Sequence, residues 1–168
     1  MIVAKFGGSS VASADQFKKV KNIIERNPKR QVVITSAIGK KDKTDNKITD
    51  LLYLVYAHIQ YSVSFEMLYG IIFDKFTQVK KELNLSVDIE KELEKIHCQL
   101  KKGISEDYLV SRGEYLTGLL LADYLGYDFV DAKELICFSY SGAIDMEKTE
   151  EAKVPPDKKT SWGKRETV

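Results

Sequence analysis

The first ten residues constrain this chain more than any other stretch. Ile2-Val3-Ala4-Lys5-Phe6 is a short apolar run with the composition of a buried strand, and it passes directly into Gly7-Gly8-Ser9-Ser10. Two adjacent glycines let a backbone turn tightly and come close to a ligand. Ser9 and Ser10 add hydroxyl donors. A helix start follows, because Ser13-Ala14-Asp15-Gln16 has the spacing of a capping box with Ser13 as N-cap and Gln16 as its partner. A strand, a glycine turn and a helix start in succession aim backbone N–H groups and the positive end of a helix at one place, where an anion is favoured. Lys5, at the end of the strand, would set a point charge beside that anion. The loop has neither the GxxxxGK[ST] pattern of a P-loop nor the GxGxxG pattern of a dinucleotide fold. Residue type alone therefore leaves an anion-binding loop and a bare turn both open.

Helix and strand alternate at first. Phe17, Val20, Ile23 and Ile24 form one apolar face, and Asn27-Pro28 ends that helix. Gln31 to Thr35 reads as a second buried strand, with parallel pairing to the first as the default. Ser36 then follows strand two as Ser10 follows strand one. Both can reach one site at the C-terminal edge of a parallel sheet, where ligands bind in open α/β folds. Gly39 to Asn46 is a polar, lysine-rich loop whose length predicts mobility and a lid.

Helices dominate the middle. One runs from Ile48 to about Tyr61. Phe65, Leu68, Tyr69, Ile72, Phe73, Phe76, Val79 and Leu83 mark a long amphipathic one, and at helical spacing this aromatic stripe reads as core. Asp88 caps another with Ile89, Leu93, Ile96 and Leu100 on its stripe, stopping at Gly103. Ser105 caps the next, which runs through Leu109, Leu116, Leu119 and Leu120 to a stop at Gly126. Tyr127 to Asp131 and Leu135 to Phe138 read as two further short strands. From Glu147 the chain turns charged, carries Pro155-Pro156 and loses its apolar period. The expected division is a lobe over 1–148 and a charged, disordered tail over 149–168.

At 168 residues the chain suits one domain with a sizeable core. A net charge of +1 gives no reason to expect nucleic acid or a membrane surface as a partner. Cys98 and Cys137 are too few for a disulfide framework or a metal site and read as reduced thiols of a cytoplasmic protein. His58 and His97 have no companion at metal-ligand spacing and read as structural, so no metal site is expected. No signal peptide opens the chain, and no apolar run reaches membrane-spanning length.

Lys5-Phe6-Gly7-Gly8-Ser9-Ser10 closely resembles the N-terminal signature of the aspartate kinases, within the amino acid kinase family. The likeness continues in matching order through Val32-Val33-Ile34-Thr35-Ser36-Ala37-Ile38-Gly39-Lys40, Lys47-Ile48-Thr49-Asp50-Leu51-Leu52 and Ser111-Arg112-Gly113-Glu114-Tyr115. The resemblance implies an α/β fold, three-layer αβα with a mainly parallel sheet, here with a helical insertion. It implies transfer of the γ-phosphoryl of ATP, as its Mg2+ complex, to the β-carboxylate of L-aspartate, the first step of lysine, threonine and methionine biosynthesis. No tightly bound cofactor is implied.

By this resemblance Lys5 is the catalytic lysine that bridges the reacting oxygens. Gly7 and Gly8 form the loop over the transferred phosphate, with Ser9 assisting. Ser36 and Thr49 contact aspartate, and Glu114 receives its α-amino group. Each residue has a plainer reading. Lys5 could be a surface lysine flanking a strand, although the inner end of a buried strand is a rare place for one. Ser9 could be a solvated turn serine, and Thr49 a helix cap. Glu114, in an apolar stretch between Val110 and Leu116, could pair with a lysine or arginine, since a buried carboxylate needs a partner. Arg112 is a poor candidate, because helical residues so close in sequence do not face each other.

Complete aspartate kinases continue for more than twice this length, through a nucleotide-side half with a Ser-Arg-Gly-Gly-Ser-Asp type motif and then regulatory ACT domains. No counterpart of that motif occurs in this sequence. The resemblance therefore implies an aspartate-side lobe, inactive alone. The alternative is a non-catalytic remnant or interaction module that binds an anion or amino acid, or pairs with full-length kinase. An unpaired sheet edge favours association, including homo-oligomers.

Overall fold

In the computed structural model, which describes residues 1–151, the first apolar run forms β1 (Ile2–Phe6) and the second forms β2 (Arg30–Thr35). They pair in parallel, Lys5 opposite Ile34 and Phe6 opposite Thr35. The crossover is α1 (Ala14–Glu25), which begins as the capping pattern predicts: the Ser13 hydroxyl accepts from the Gln16 N–H at 3.4 Å. Its face of Ala14, Phe17, Val20 and Ile24 is buried.

Four helices follow: α2 (Ile48–Gln60), α3 (Glu66–Leu83), α4 (Ile89–Leu100) and α5 (Glu106–Leu125). Their ends obey local chemistry. Asp88 accepts from the Lys91 N–H and Ser105 from the Tyr108 N–H, each satisfying an amide that the helix start leaves free. Asn84 and Gly126, both at positive φ, close α3 and α5. The stripes predicted for α3 and α4 are buried at Tyr69, Ile72, Phe76 and Val79 and at Ile89, Leu93, Ile96 and Leu100. The most enclosed helix is α5, which touches α1, α2, α3, α4 and β2 and buries residues around most of its circumference, from Leu109 to Leu125. One contiguous core results, running from Phe6 and Phe17 through Leu52 and Phe76 to Leu120.

Three expectations are corrected. The strands are not buried: Ile2, Val3 and Ile34 are 39%, 54% and 49% exposed, and of β1 only Phe6 is buried. The sheet has two strands among the described residues, so an apolar run does not find cover on both faces. Tyr127 to Asp131 and Leu135 to Phe138 are not strands. The Asp131 carboxylate accepts from the Lys133 N–H and turns the chain into a 3-10 turn at Ala132–Glu134, which interrupts the extended run. Phe138 makes one isolated antiparallel bridge to Ile144. Finally, Met146–Glu151 is a short helix, α6, so the first residues of the expected tail are helical. The rest of that tail, 152–168, lies outside the described residues. None of the described helices is long and apolar enough to cross a membrane.

Candidate functional site

Because β1 and β2 are parallel, their C-terminal ends lie side by side and the loops that leave them meet. The Ser36 N–H donates to the Phe6 carbonyl at 3.0 Å, which extends the ladder by one residue. Further on, the Gly39 N–H donates to the Gly8 carbonyl at 3.0 Å, so the loops cross backbone to backbone. A Cβ on Gly39 would lie 2.6 Å from the Gly8 carbonyl carbon, and one on Gly8 would lie 2.9 Å from the Ala37 carbonyl oxygen. Close approach, not a left-handed φ, is what requires these glycines. Gly7 differs. Its backbone is extended, and a Cβ there would meet nothing within 4 Å. Beside it the chain enters a 3-10 turn at Gly8–Val11, whose leading amides have no acceptor within that turn.

Helix α5 closes the site from the side. A Cβ on Gly113 would lie 2.9 Å from the Ala37 Cβ and 3.2 Å from atoms of Ile48 and Leu52. This closeness sets the next residues of α5 against the loop after β2. Glu114 Oε1 accepts from the Ala37 N–H at 3.2 Å, and Thr117 Oγ1 accepts from the Ile38 N–H at 3.1 Å. Thr117 also donates to the Gly113 carbonyl at 2.7 Å. The Ile48 N–H donates to the Ile38 carbonyl at 3.1 Å, so α2 starts at the same place.

The structure thus places Lys5, Gly7, Gly8, Ser9 and Ser36 at the two strand ends, bonds Glu114 to the loop after β2, and sets Thr49 in the helix that starts beside that loop. Thr49 is half-buried in the first turn of α2, and the N-cap is Lys47, so Thr49 is not a helix cap. Ser36 is half-buried and Ser9 exposed. Lys5 is exposed, not enclosed at the inner end of a strand: side chains alternate along β1, and Phe6 takes the inward face. Lys5 has no hydrogen-bond or ion-pair partner among the described residues. Glu114 is half-buried and its partner is a backbone amide, not a cation. Arg112 pairs instead with Asp131 at 3.2 Å, both buried, its guanidinium carbon 4.4 Å and 4.6 Å from the ring centres of Tyr108 and Tyr115.

Sequence reasoning missed Thr117 and Lys75. Thr117 stands three residues beyond Glu114, hence on the same helix face, which is a usable signal. Lys75, in the middle of α3, reads as an ordinary polar residue of an amphipathic helix. Its ammonium donates to the Gly39 carbonyl at 2.9 Å, the Asp45 carboxylate at 2.7 Å and the Asn46 carbonyl at 2.6 Å. Asp45 also accepts from the Lys41 N–H at 2.7 Å. The loop expected to be a mobile lid is therefore tied down at both ends. Burial pushes the Asp45 carboxyl up, but Lys75 and the amides of Lys41 and Asn46 outweigh it and hold the carboxyl below the usual aspartate range.

Among the described residues no cluster of three or more His, Cys, Asp or Glu side chains is placed to hold a metal ion. A cavity of about 390 Å³ lies between α3 and α4, lined by Tyr69, Phe73, His97 and Cys98 among others, and shares no residue with the strand-end site.

The amino acid kinase family model matches residues 1–155. The chain belongs to the amino acid kinase family. Within that family it is similar to aspartokinase 3 of Bacillus subtilis (strain 168), 34% identical over 142 residues that make up 79% of this chain and 31% of that protein. It is 39% identical over 137 residues to the chloroplastic aspartokinase 2 of Arabidopsis thaliana, covering 73% of this chain and 24% of that protein. Among solved structures, aspartate kinase from Clostridium acetobutylicum superposes with a TM-score of 0.86 at 47% identity, over 89% of this chain and 35% of that one. Aspartokinase III of E. coli, in complex with aspartate and ADP, superposes with a TM-score of 0.74 at 22% identity, over 90% of this chain and 36% of that one, a likeness of fold alone. This amino acid kinase chain thus spans about a third or less of the length of the relatives it matches.

Proposed function

We propose that this amino acid kinase chain carries the aspartate-binding side of an aspartate kinase, which phosphorylates the β-carboxylate of L-aspartate with Mg2+–ATP to give 4-phospho-L-aspartate. Phosphoryl transfer needs little covalent help. It needs two anions held in line and their charge neutralised. Glu114 commits one oxygen to the Ala37 amide and keeps the other for the substrate ammonium. Ser36 and Thr49, at the end of β2 and the start of α2, take the substrate carboxylate. Lys5, exposed and without an ion-pair partner among the described residues, is free to bridge the reacting oxygens. The phosphoryl group lies over Gly7 and Gly8, with Ser9 at its edge, where Gly7 leaves space beside the backbone. Magnesium enters as part of the nucleotide.

The crossing of the two loops at Gly8 and Gly39, with Glu114 bonded to the amide two residues before Gly39, carries this reading. It joins the loops after β1 and β2 at the C-terminal end of the sheet, where open α/β folds bind ligands, and so supports reading them as the phosphate and amino acid sides of one site. The nucleotide-side motif has no counterpart in these 168 residues. The segment is therefore expected to bind aspartate without turning over ATP.

The test is an amide-resolved NMR titration of the 168-residue protein with L-aspartate. Shifts should cluster at Ala37, Gly39 and Thr49 and vanish in Glu114→Gln. Shifts spread over α4, or unchanged by Glu114→Gln, would refute the assignment. In a parallel aspartyl-hydroxamate assay with Mg2+–ATP we expect no product. A rate abolished by Lys5→Ala would show that the segment rebuilds a nucleotide site by itself.

One observation favours a second reading, association through the sheet. Ile2, Val3 and Ile34 leave apolar side chains exposed on a sheet that has two strands among the described residues, and a strand edge without a partner is a template for pairing with another chain.

A further inference from the structure

We infer that Lys75 is a positioning residue of the aspartate side, a clasp from α3 that holds the loop over residues 39–46 and, through it, both the Gly8–Gly39 crossing and the start of α2. The inference rests on the aspartate-kinase reading for the ligand, and on geometry alone for the clasp.

An ammonium has three N–H donors, and in Lys75 each finds an acceptor, at Gly39, Asp45 and Asn46. Saturated in this way, and with its side chain only 13% exposed, it has no donor left for a substrate. Its role is therefore placement and not chemistry. The acceptors sit at the two ends of the loop, residue 39 on one side and residues 45 and 46 on the other. The ammonium thus bridges the neck of the loop and leaves its tip, with exposed Lys40, Lys41 and Lys43, in solvent.

What lies at each end gives the clasp its consequence. The Gly39 carbonyl is held by Lys75 while the N–H of the same residue is held by Gly8, so the crossing is gripped from both sides. Asn46 directly precedes Lys47, the N-cap of α2, two residues before Thr49. One point charge on a third helix thereby connects the phosphate loop to the residue proposed to meet aspartate. Arginine could not substitute, because a planar guanidinium does not converge on three acceptors around one atom.

Trypsin reads the clasp directly, since the loop carries its own cleavage sites. On the 168-residue protein, Lys75→Met keeps the apolar stem and removes the charge. Cleavage after Lys40 and Lys43 should accelerate roughly tenfold or more, because hydrogen bonds to a charged group are the strong ones, while cleavage after Lys95 in α4 keeps its rate. Aspartate affinity, from the same NMR titration, should fall about tenfold. Asp45→Asn should give a smaller acceleration confined to the loop, and it decides the matter if Lys75→Met unfolds. Loop cleavage within about twofold of the unsubstituted protein in both variants would overturn the clasp. An opened loop with unchanged aspartate affinity would overturn the positioning role. If the unsubstituted protein does not bind aspartate while the loop still opens in Lys75→Met, the aspartate reading falls, the positioning role falls with it, and the clasp stands.

Discussion

Glycine shows best how much meaning a single residue takes from its surroundings. Gly7 and Gly8 are adjacent and look alike in sequence, yet Gly8 is locked under Ala37 while Gly7 faces open space. Gly39→Ala must push its methyl into the Gly8 backbone, which cannot yield as a flexible side chain would. We expect it to lose about 1–3 kcal/mol of stability in urea unfolding, the usual range for overpacking. Gly7→Ala should leave the melting temperature essentially unchanged. In a chain that also carries a nucleotide-side half, it should still impair turnover by filling the space assigned to phosphate. A Gly7→Ala enzyme with normal kcat would remove the phosphate from that place. Gly70, exposed within α3 with nothing near a Cβ, is the control: Ala there should gain about 0.5–1 kcal/mol from helix propensity. Lys5→Ala in the same longer chain should lower kcat about a hundredfold with less change in KM, since its charge acts mainly in the transition state.

At the scale of elements, α5 organises the site, and its attachments are separable. One face reaches the loop after β2 through Glu114 and Thr117. Arg112 instead holds the segment after α5 by its buried pair with Asp131. Breaking a buried pair leaves an uncompensated charge, at a cost of about 3–5 kcal/mol. Arg112→Met should fall toward the lower end of that range by calorimetry, because Lys133 stands 3.5 Å from Asp131 and supplies part of the lost partner. The loop over residues 39–46 has its own pH signature. The folded state holds the Asp45 carboxyl below its ordinary value of 3.8, so its contribution is fully present above that value and is lost as pH falls through the lower, folded one. Asp42, held low by Thr44, titrates beside it in the same direction. Amide exchange over residues 40–46 should therefore quicken, relative to α5, as pH is lowered below about 4. A flat ratio between pH 5 and pH 3 would contradict this account of the loop.

For the whole molecule, the main question is what the sheet does with its uncovered surface. Two strands carrying Ile2, Val3 and Ile34 outward are poorly suited to remain alone in water. We expect concentration-dependent association in sedimentation velocity, reduced by Ile34→Lys, which places a charge on the exposed face without touching the strand-end loops. A monomer at all concentrations would leave the exposed apolar residues with no partner to explain them.

The sequence alone determined what depends on neighbours along the chain. The caps at Ser13, Asp88 and Ser105, the stop at Gly126 and the stripes of α3 and α4 are read from residues three or four apart, because those contacts form within one helix. The amino acid kinase family was legible through the resemblance of four short motifs in matching order, each carried by residues adjacent in the chain. The tertiary structure decided whatever depends on a distant partner. An apolar run cannot say whether other strands will cover it, so β1 and β2 were expected to be buried and are not. Nothing within Tyr127 to Phe138 reveals the pull of Arg112 on Asp131 from 19 residues away, which accompanies a turn in place of strands. Nor does a lysine on an amphipathic helix announce that it will reach 30 residues back to Asp45 and tie down a loop whose length marks it as mobile. Local hydrogen bonds are written in sequence spacing, whereas the ammonium of Lys75 finds its three acceptors only once α3 has packed beside the strand ends.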